Sequence, residues 1–138
     1  MQPDHPASVM RVSVNTLTQL FASQPAVMVA LLFGSVARGT HTPESDLDIA
    51  VLTSQPMGMT DKRGLIEQLA VTTGRAVDLI DLATVGQPLL GQIIKDAKRL
   101  KGTDSQFAQL LLKNAEEQED FMPYITRLLQ TRRAAWTG

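Results

Sequence analysis

The sequence predicts an α/β fold, with a small sheet, helices before, between and after its strands, and a C-terminal helical tail. Three observations carry this. Val27–Phe33 and Leu47–Leu52 are apolar runs of strand length, the second broken only by Asp48, and both read as buried strands. Apolar residues recur at helical spacing at Met10, Val14, Leu17 and Phe21, and again from Leu89 to Ala97. Beyond Gly102-Thr103 large apolar residues continue as Phe107, Leu110, Leu111, Phe121, Ile125, Leu128, Leu129 and Trp136, many for a segment outside a sheet core.

Residues 1–7 hold two prolines and read as a lead-in, followed by a helix from Ser8 that Pro25 ends. The strand Val27–Phe33 stops at a Gly34-Ser35 turn, and a short excursion leads to the second strand. Thr53–Met59, with Pro56 and Gly58, reads as a loop. Thr60 is the expected cap of a helix to about Val71, with Leu65, Ile66 and Leu69 inward and Gly74 just past its end. Arg75–Asp81 is the third strand. Pro88 opens an amphipathic helix through Leu89, Leu90, Ile93, Ile94 and Ala97, whose other face carries Lys95, Lys98 and Arg99. Asp104 is the expected cap of the tail helix. The chain divides into a core, 1–103, and an extension, 104–138, that packs on the core or on a partner.

At 138 residues the chain suits one core, and 43% hydrophobic with 20% charged residues is an ordinary globular composition. The formal net charge of −1 argues against bulk attraction to nucleic acid or a membrane surface. With no cysteine, disulfides and thiolate metal sites are excluded. No secretory leader pattern and no run of membrane-spanning length is found, so a cytoplasmic location is expected.

The chemistry concentrates between Ala26 and Thr53. An acid inside a buried strand costs several kcal/mol unless a cation or hydrogen-bond donor meets it. In a strand, Asp46 and Asp48 would share one face roughly 6.6 Å apart, away from Leu47, Ile49 and Val51. Their mutual repulsion is what a divalent cation relieves, and an all-oxygen donor set favours Mg²⁺ or Mn²⁺ over zinc. Gly34-Ser35 offers bare backbone N–H groups and a hydroxyl where a phosphate can sit. In the third strand Asp78 and Asp81 are three apart and face opposite sides, so only one can join the pair. Asp78, in mid-strand, is the choice on burial cost, while Asp81 falls where a turn or cap is expected.

Gly34-Ser35, ten intervening residues and Asp46-x-Asp48, within LLFGSVARG and SDLDIAVL, resemble the signature of the nucleotidyltransferase superfamily that includes DNA polymerase β. The short chain and the GSVARG form resemble its minimal nucleotidyltransferase (MNT) branch. The match is clear over Val27–Leu52 and looser to Asp81. The resemblance implies a mixed sheet and a minimal nucleotidyltransferase domain over 1–103. It assigns Gly34 and Ser35 to the phosphates of ATP, and Asp46, Asp48 and Asp78 to catalysis as ligands of Mg²⁺, with two ions and Mn²⁺ as a substitute. Arg38 is a candidate for neutralising phosphate charge, with a solvent-exposed role as its alternative. His41 reads as a surface residue. The MNT resemblance further implies an antitoxin that pairs with a HEPN-domain ribonuclease toxin and moves AMP onto a toxin tyrosine. Two alternatives stay open: an aminoglycoside-type small-molecule nucleotidyltransferase, and a non-catalytic antitoxin acting by occlusion.

Overall fold

A computed structural model describes residues 13–137; the predicted lead-in, Met10 and the side chains of Phe121, Ile125, Leu128 and Trp136 lie outside the described residues. The elements run α1 (Val14–Ala22), β1 (Val27–Phe33), α2 (Gly34–Arg38), β2 (Leu47–Thr53), α3 (Met59–Thr73), β3 (Val77–Asp81), α4 (Leu89–Asp96), β4 (Lys98–Lys101) and α5 (Asp104–Thr137). The strands form one four-stranded sheet in the order β3-β2-β1-β4. β1 pairs antiparallel with β2 and β4, and β2 pairs parallel with β3, so the sheet is mixed.

The apolar runs form the middle strands because residues buried on both faces need helices on both sides. On one face Leu17, Leu20 and Phe21 of α1 and Leu65 and Leu69 of α3 pack against Leu32, Ile49 and Leu79. On the other, Leu90 and Ile93 of α4 and Leu110 of α5 pack against Val29, Leu31 and Ala50. Burying each such leucine or phenylalanine contributes about 1.5–3 kcal/mol, which anchors the sheet that carries the site.

Several boundaries differ from those expected. Ser13, extended at ψ 118°, caps α1 by accepting from the Thr16 N–H at 3.2 Å, so this helix starts at Val14, while the expected start at Ser8 lies outside the described residues. α3 starts at Met59 behind Gly58, leaving Thr60 inside it, while Gly74 closes it in the left-handed conformation as expected. The tail is capped by Thr103: its Oγ1 accepts from the Gln106 N–H at 3.1 Å and its own N–H donates to Gln106 Oε1 at 2.9 Å. This reciprocal pair is a capping box, which leaves Asp104 in the first turn.

The largest difference is β4. Lys98 and Arg99, expected on the polar face of a helix, lie on an edge strand, because Ala97 turns extended (φ −58°, ψ 131°) directly after α4. Four residues with one apolar member are too few to show any period. The charges suit an edge: Arg99 pairs with Asp104 at 2.8 Å and lies 5.2 Å from the Phe107 ring centroid. Lys101 Nζ donates to the carbonyls of Phe21 and Gln24 at 3.1 and 2.9 Å, tying β4 to the end of α1.

α5 spans 34 residues, roughly 51 Å at helical rise, with Pro123 inside it. Its first turns dock through Leu110 and Phe107, Asn114 accepts from Gln87 Nε2 at 2.7 Å, and Lys113 Nζ donates to the Leu82 carbonyl at 3.0 Å. Leu111, Leu112 and Leu129 stay 42%, 59% and 59% exposed. Among the described residues no helix is long and apolar enough to cross a membrane.

Candidate nucleotide-transfer site

The site forms where β1 ends beside the starts of β2 and β3. β1 runs directly into α2, and Phe33 at that junction pairs with Asp48. On the other side of β2, Asp48 pairs with Asp78 in the parallel ladder. Residues paired in this way point to the same face, so two carboxylates from different strands stand side by side. Asp81 pairs with Val51 and belongs to the opposite face, where its Oδ1 accepts from the Ala83 N–H at 2.9 Å and caps the turn after β3.

Asp46 departs from expectation. It lies one residue before β2, outside the ladder, so its position depends on the preceding loop and not on strand pairing alone. It still acts on Asp48 electrostatically. Burial is the main cause that raises the Asp48 carboxyl above its ordinary pKa, followed by the negative charges of Asp78 and Asp46, with Arg38 opposing them.

Gly34 explains how the turn from β1 into α2 and the acids meet. It has φ +73°, and a Cβ there would lie 2.9 Å from Asp48 Cγ and 3.2 Å from Asp48 Cβ. Only a residue without a side chain lets β1 turn into α2 against that carboxylate. Ser35 follows in the first turn of α2, partly buried. Arg38, at the last position of α2, donates through Nη1 to Asp96 Oδ2 of α4 at 2.6 Å and is half exposed at 50%. Arg38, Gln92, Lys95 and Asp96 line a cleft of about 490 Å³.

Three residues here were not singled out from the sequence as parts of the site. Asp96 fixes Arg38 across an interval of 58 residues, and nothing local announces such a contact. Arg75 is buried, 7% exposed, and bonds to the loop before Asp46; its signal was a charged residue opening an apolar strand. His41, read as a surface residue, has a buried Nδ1 with no hydrogen-bond partner among the described residues.

As they stand, no three acidic or histidine side chains among the described residues are gathered around one metal-sized point. The donor chemistry nevertheless fits a hard divalent cation. Asp48 and Asp78 offer oxygen donors on one face, Asp46 adds charge beside them, and the crowding that raises the Asp48 pKa is what such a cation offsets.

Comparison with known proteins follows the same lines. The family model described as polymerase β, nucleotidyltransferase, matches residues 15–106. The protein adenylyltransferase MntA of Shewanella oneidensis is 35% identical over 79 residues, which are 57% of this chain and 57% of that protein. The chain thus spans little more than half the length of that relative. Among solved structures, a toxin–antitoxin crystal structure with AMP-PNP contains a chain similar to this one at TM-score 0.77 and 25% identity, covering 88% of this chain and 99% of that one. A chain in the complex of a tri-AMPylated Shewanella oneidensis HEPN toxin with an MNT antitoxin shares the fold at TM-score 0.69 and 21% identity, over 88% and 99%.

Proposed function

The chain belongs to the polymerase β-type nucleotidyltransferase family, and from that premise we propose that it transfers AMP from ATP to a tyrosine hydroxyl of a partner HEPN-domain toxin, and so acts as its antitoxin. The observation that carries this is the junction at Gly34, where the start of α2 and the Asp48–Asp78 pair meet within one carboxylate's reach. The relative named as a protein adenylyltransferase and the toxin–antitoxin structure with AMP-PNP support the donor and the class of partner.

In this reading the backbone at Gly34 and the Ser35 hydroxyl hold the terminal phosphates, and Arg38, steadied by Asp96, offsets their charge. Asp46, Asp48 and Asp78 are the residues that would hold Mg²⁺ or Mn²⁺, in one or two ions. Such an ion, when bound, supplies charge neutralisation at the phosphates and lowers the pKa of an attacking hydroxyl. The acceptor hydroxyl gives up its proton to solvent as its oxygen bonds to the α-phosphorus, the bond from that phosphorus to the bridging oxygen breaks, and pyrophosphate leaves. Asp48, whose carboxyl pKa is raised by burial and by Asp78 and Asp46, must be ionised for this role. Residues 1–103 serve as the transfer unit, and the extension from 104, with Leu111, Leu112 and Leu129 exposed, serves as a partner-facing element.

The test combines the purified protein, Mg²⁺, α-labelled ATP and the product of the adjacent gene, read by intact mass, with Asp46→Asn/Asp48→Asn as control. AMP added to the partner only by the wild type is the expected result. A stable complex without transfer would replace the enzymatic reading by occlusion, and transfer only to a soluble small acceptor would replace the partner.

A further inference from the structure

Arg75 is a buried charged residue that the transfer chemistry leaves unused. It sits just ahead of β3, three residues before Asp78, and its Nη1 donates to two carbonyls of the facing loop, Thr42 O and Ser45 O, each at 2.9 Å. That loop is a closed turn: the Ser45 N–H donates to Thr42 O at 3.1 Å and the Thr42 N–H donates to Ser45 Oγ at 2.8 Å. On the far side of Asp46, the Leu47 N–H donates to Ala76 O at 2.8 Å. Asp46 is therefore held at both ends by consecutive residues of one segment, Arg75 and Ala76.

We infer that Arg75 is a positioning residue that sets where Asp46 stands relative to Asp48 and Asp78. A buried guanidinium is costly unless its donors are satisfied, and charge-assisted bonds to carbonyls are roughly twice as strong as neutral ones. Here those bonds join the loop carrying the first carboxylate to the segment that leads into the third. The strand ladder alone fixes Asp48 against Asp78, but Asp46 lies outside it and takes its place from this clamp. The inference rests on the nucleotidyl-transfer reading for what Asp46 is held to do, though not for the clamp itself.

The full chain carrying Arg75→Met, with Arg75→Gln should the first not fold, tests this by two readouts besides activity. One is amide hydrogen exchange at Ser45 and Leu47, which should quicken. The other is Mn²⁺ binding in the presence of ATP, followed by electron paramagnetic resonance, which should weaken by about 10–100-fold, as when the outer support of a metal ligand is lost. Adding Asp46→Asn to the Arg75 variant should weaken Mn²⁺ binding less than it does in the wild type, because the carboxylate is already misplaced. A variant that melts earlier but binds Mn²⁺ like the wild type would make Arg75 a scaffold residue only. Should the wild type itself bind no Mn²⁺, the transfer reading fails, and unchanged exchange at Ser45 and Leu47 would overturn the clamp independently.

Discussion

The carboxylate of Asp48 occupies the space where a side chain on Gly34 would be. A Cβ at Gly34 would stand 2.9 Å from Asp48 Cγ, and the glycine holds φ +73°. The turn from β1 into α2 and the acid-bearing strand are thus fitted to each other at a single backbone atom.

Gly34→Ala should lose in both respects. The left-handed backbone costs about 1–2 kcal/mol with a Cβ present, and Asp48 must rotate away. Transfer should fall on the order of 10²-fold, as for a misplacement of about 1 Å at a reacting centre. Urea unfolding and single-turnover transfer measure the two losses separately.

Asp48→Asn should abolish transfer while leaving the metal-free protein more stable at neutral pH. The folded-state pKa of Asp48 is raised, so its contribution to stability is fully present below the unfolded pKa and is lost as pH rises through the folded value. The melting advantage of the asparagine variant should therefore shrink as pH falls through that raised pKa, as melting curves from neutral to acidic pH would reveal. A constant gap would contradict the electrostatic origin.

Arg38→Ala should move the acid limb of the pH–rate profile upward. Arg38 is the neighbour that lowers the Asp48 pKa, so removing it leaves burial, Asp78 and Asp46 unopposed. Stability should change little, since a half-exposed ion pair such as Arg38–Asp96 is worth about 0–1 kcal/mol. Asp96→Ala should reproduce part of the kinetic effect, because it frees the guanidinium without removing it.

Asp78→Asn and Asp81→Ala should separate cleanly. The first removes a carboxylate from the face of Asp48 and should eliminate transfer with the fold intact. The second loses the bond to the Ala83 N–H in the turn after β3, which costs about 0.5–1.5 kcal/mol, and should keep most of the transfer rate. Parallel rate and melting measurements decide this, and the reverse pattern would assign the third acid to the other face.

The sequence by itself determined the buried strands, because seven consecutive apolar residues such as Val27–Phe33 have no stable place except between two layers. It also singled out, as candidates for the chemistry, Gly34, Ser35, Asp46, Asp48 and Asp78. Glycine at a strand end and an acid in an apolar strand are costly choices that local physics flags at once, and the two-residue strand period put Asp78 and Asp81 on opposite faces; the burial cost by which Asp78 was preferred does not apply, because β3 is an edge strand and Asp78 is exposed on it. Only the tertiary structure decided that Lys98–Lys101 joins the sheet as an edge, that Asp46 stands outside the ladder, that Arg75 bonds to the loop before Asp46, and that Asp96 pairs with Arg38. Each depends on a partner distant in the chain: β1 for β4, the loop 42–45 for Arg75, and α2 for Asp96. Charged residues have no apolar period to betray their position. A buried arginine and an exposed one read alike until the fold supplies the carbonyls that make burial affordable.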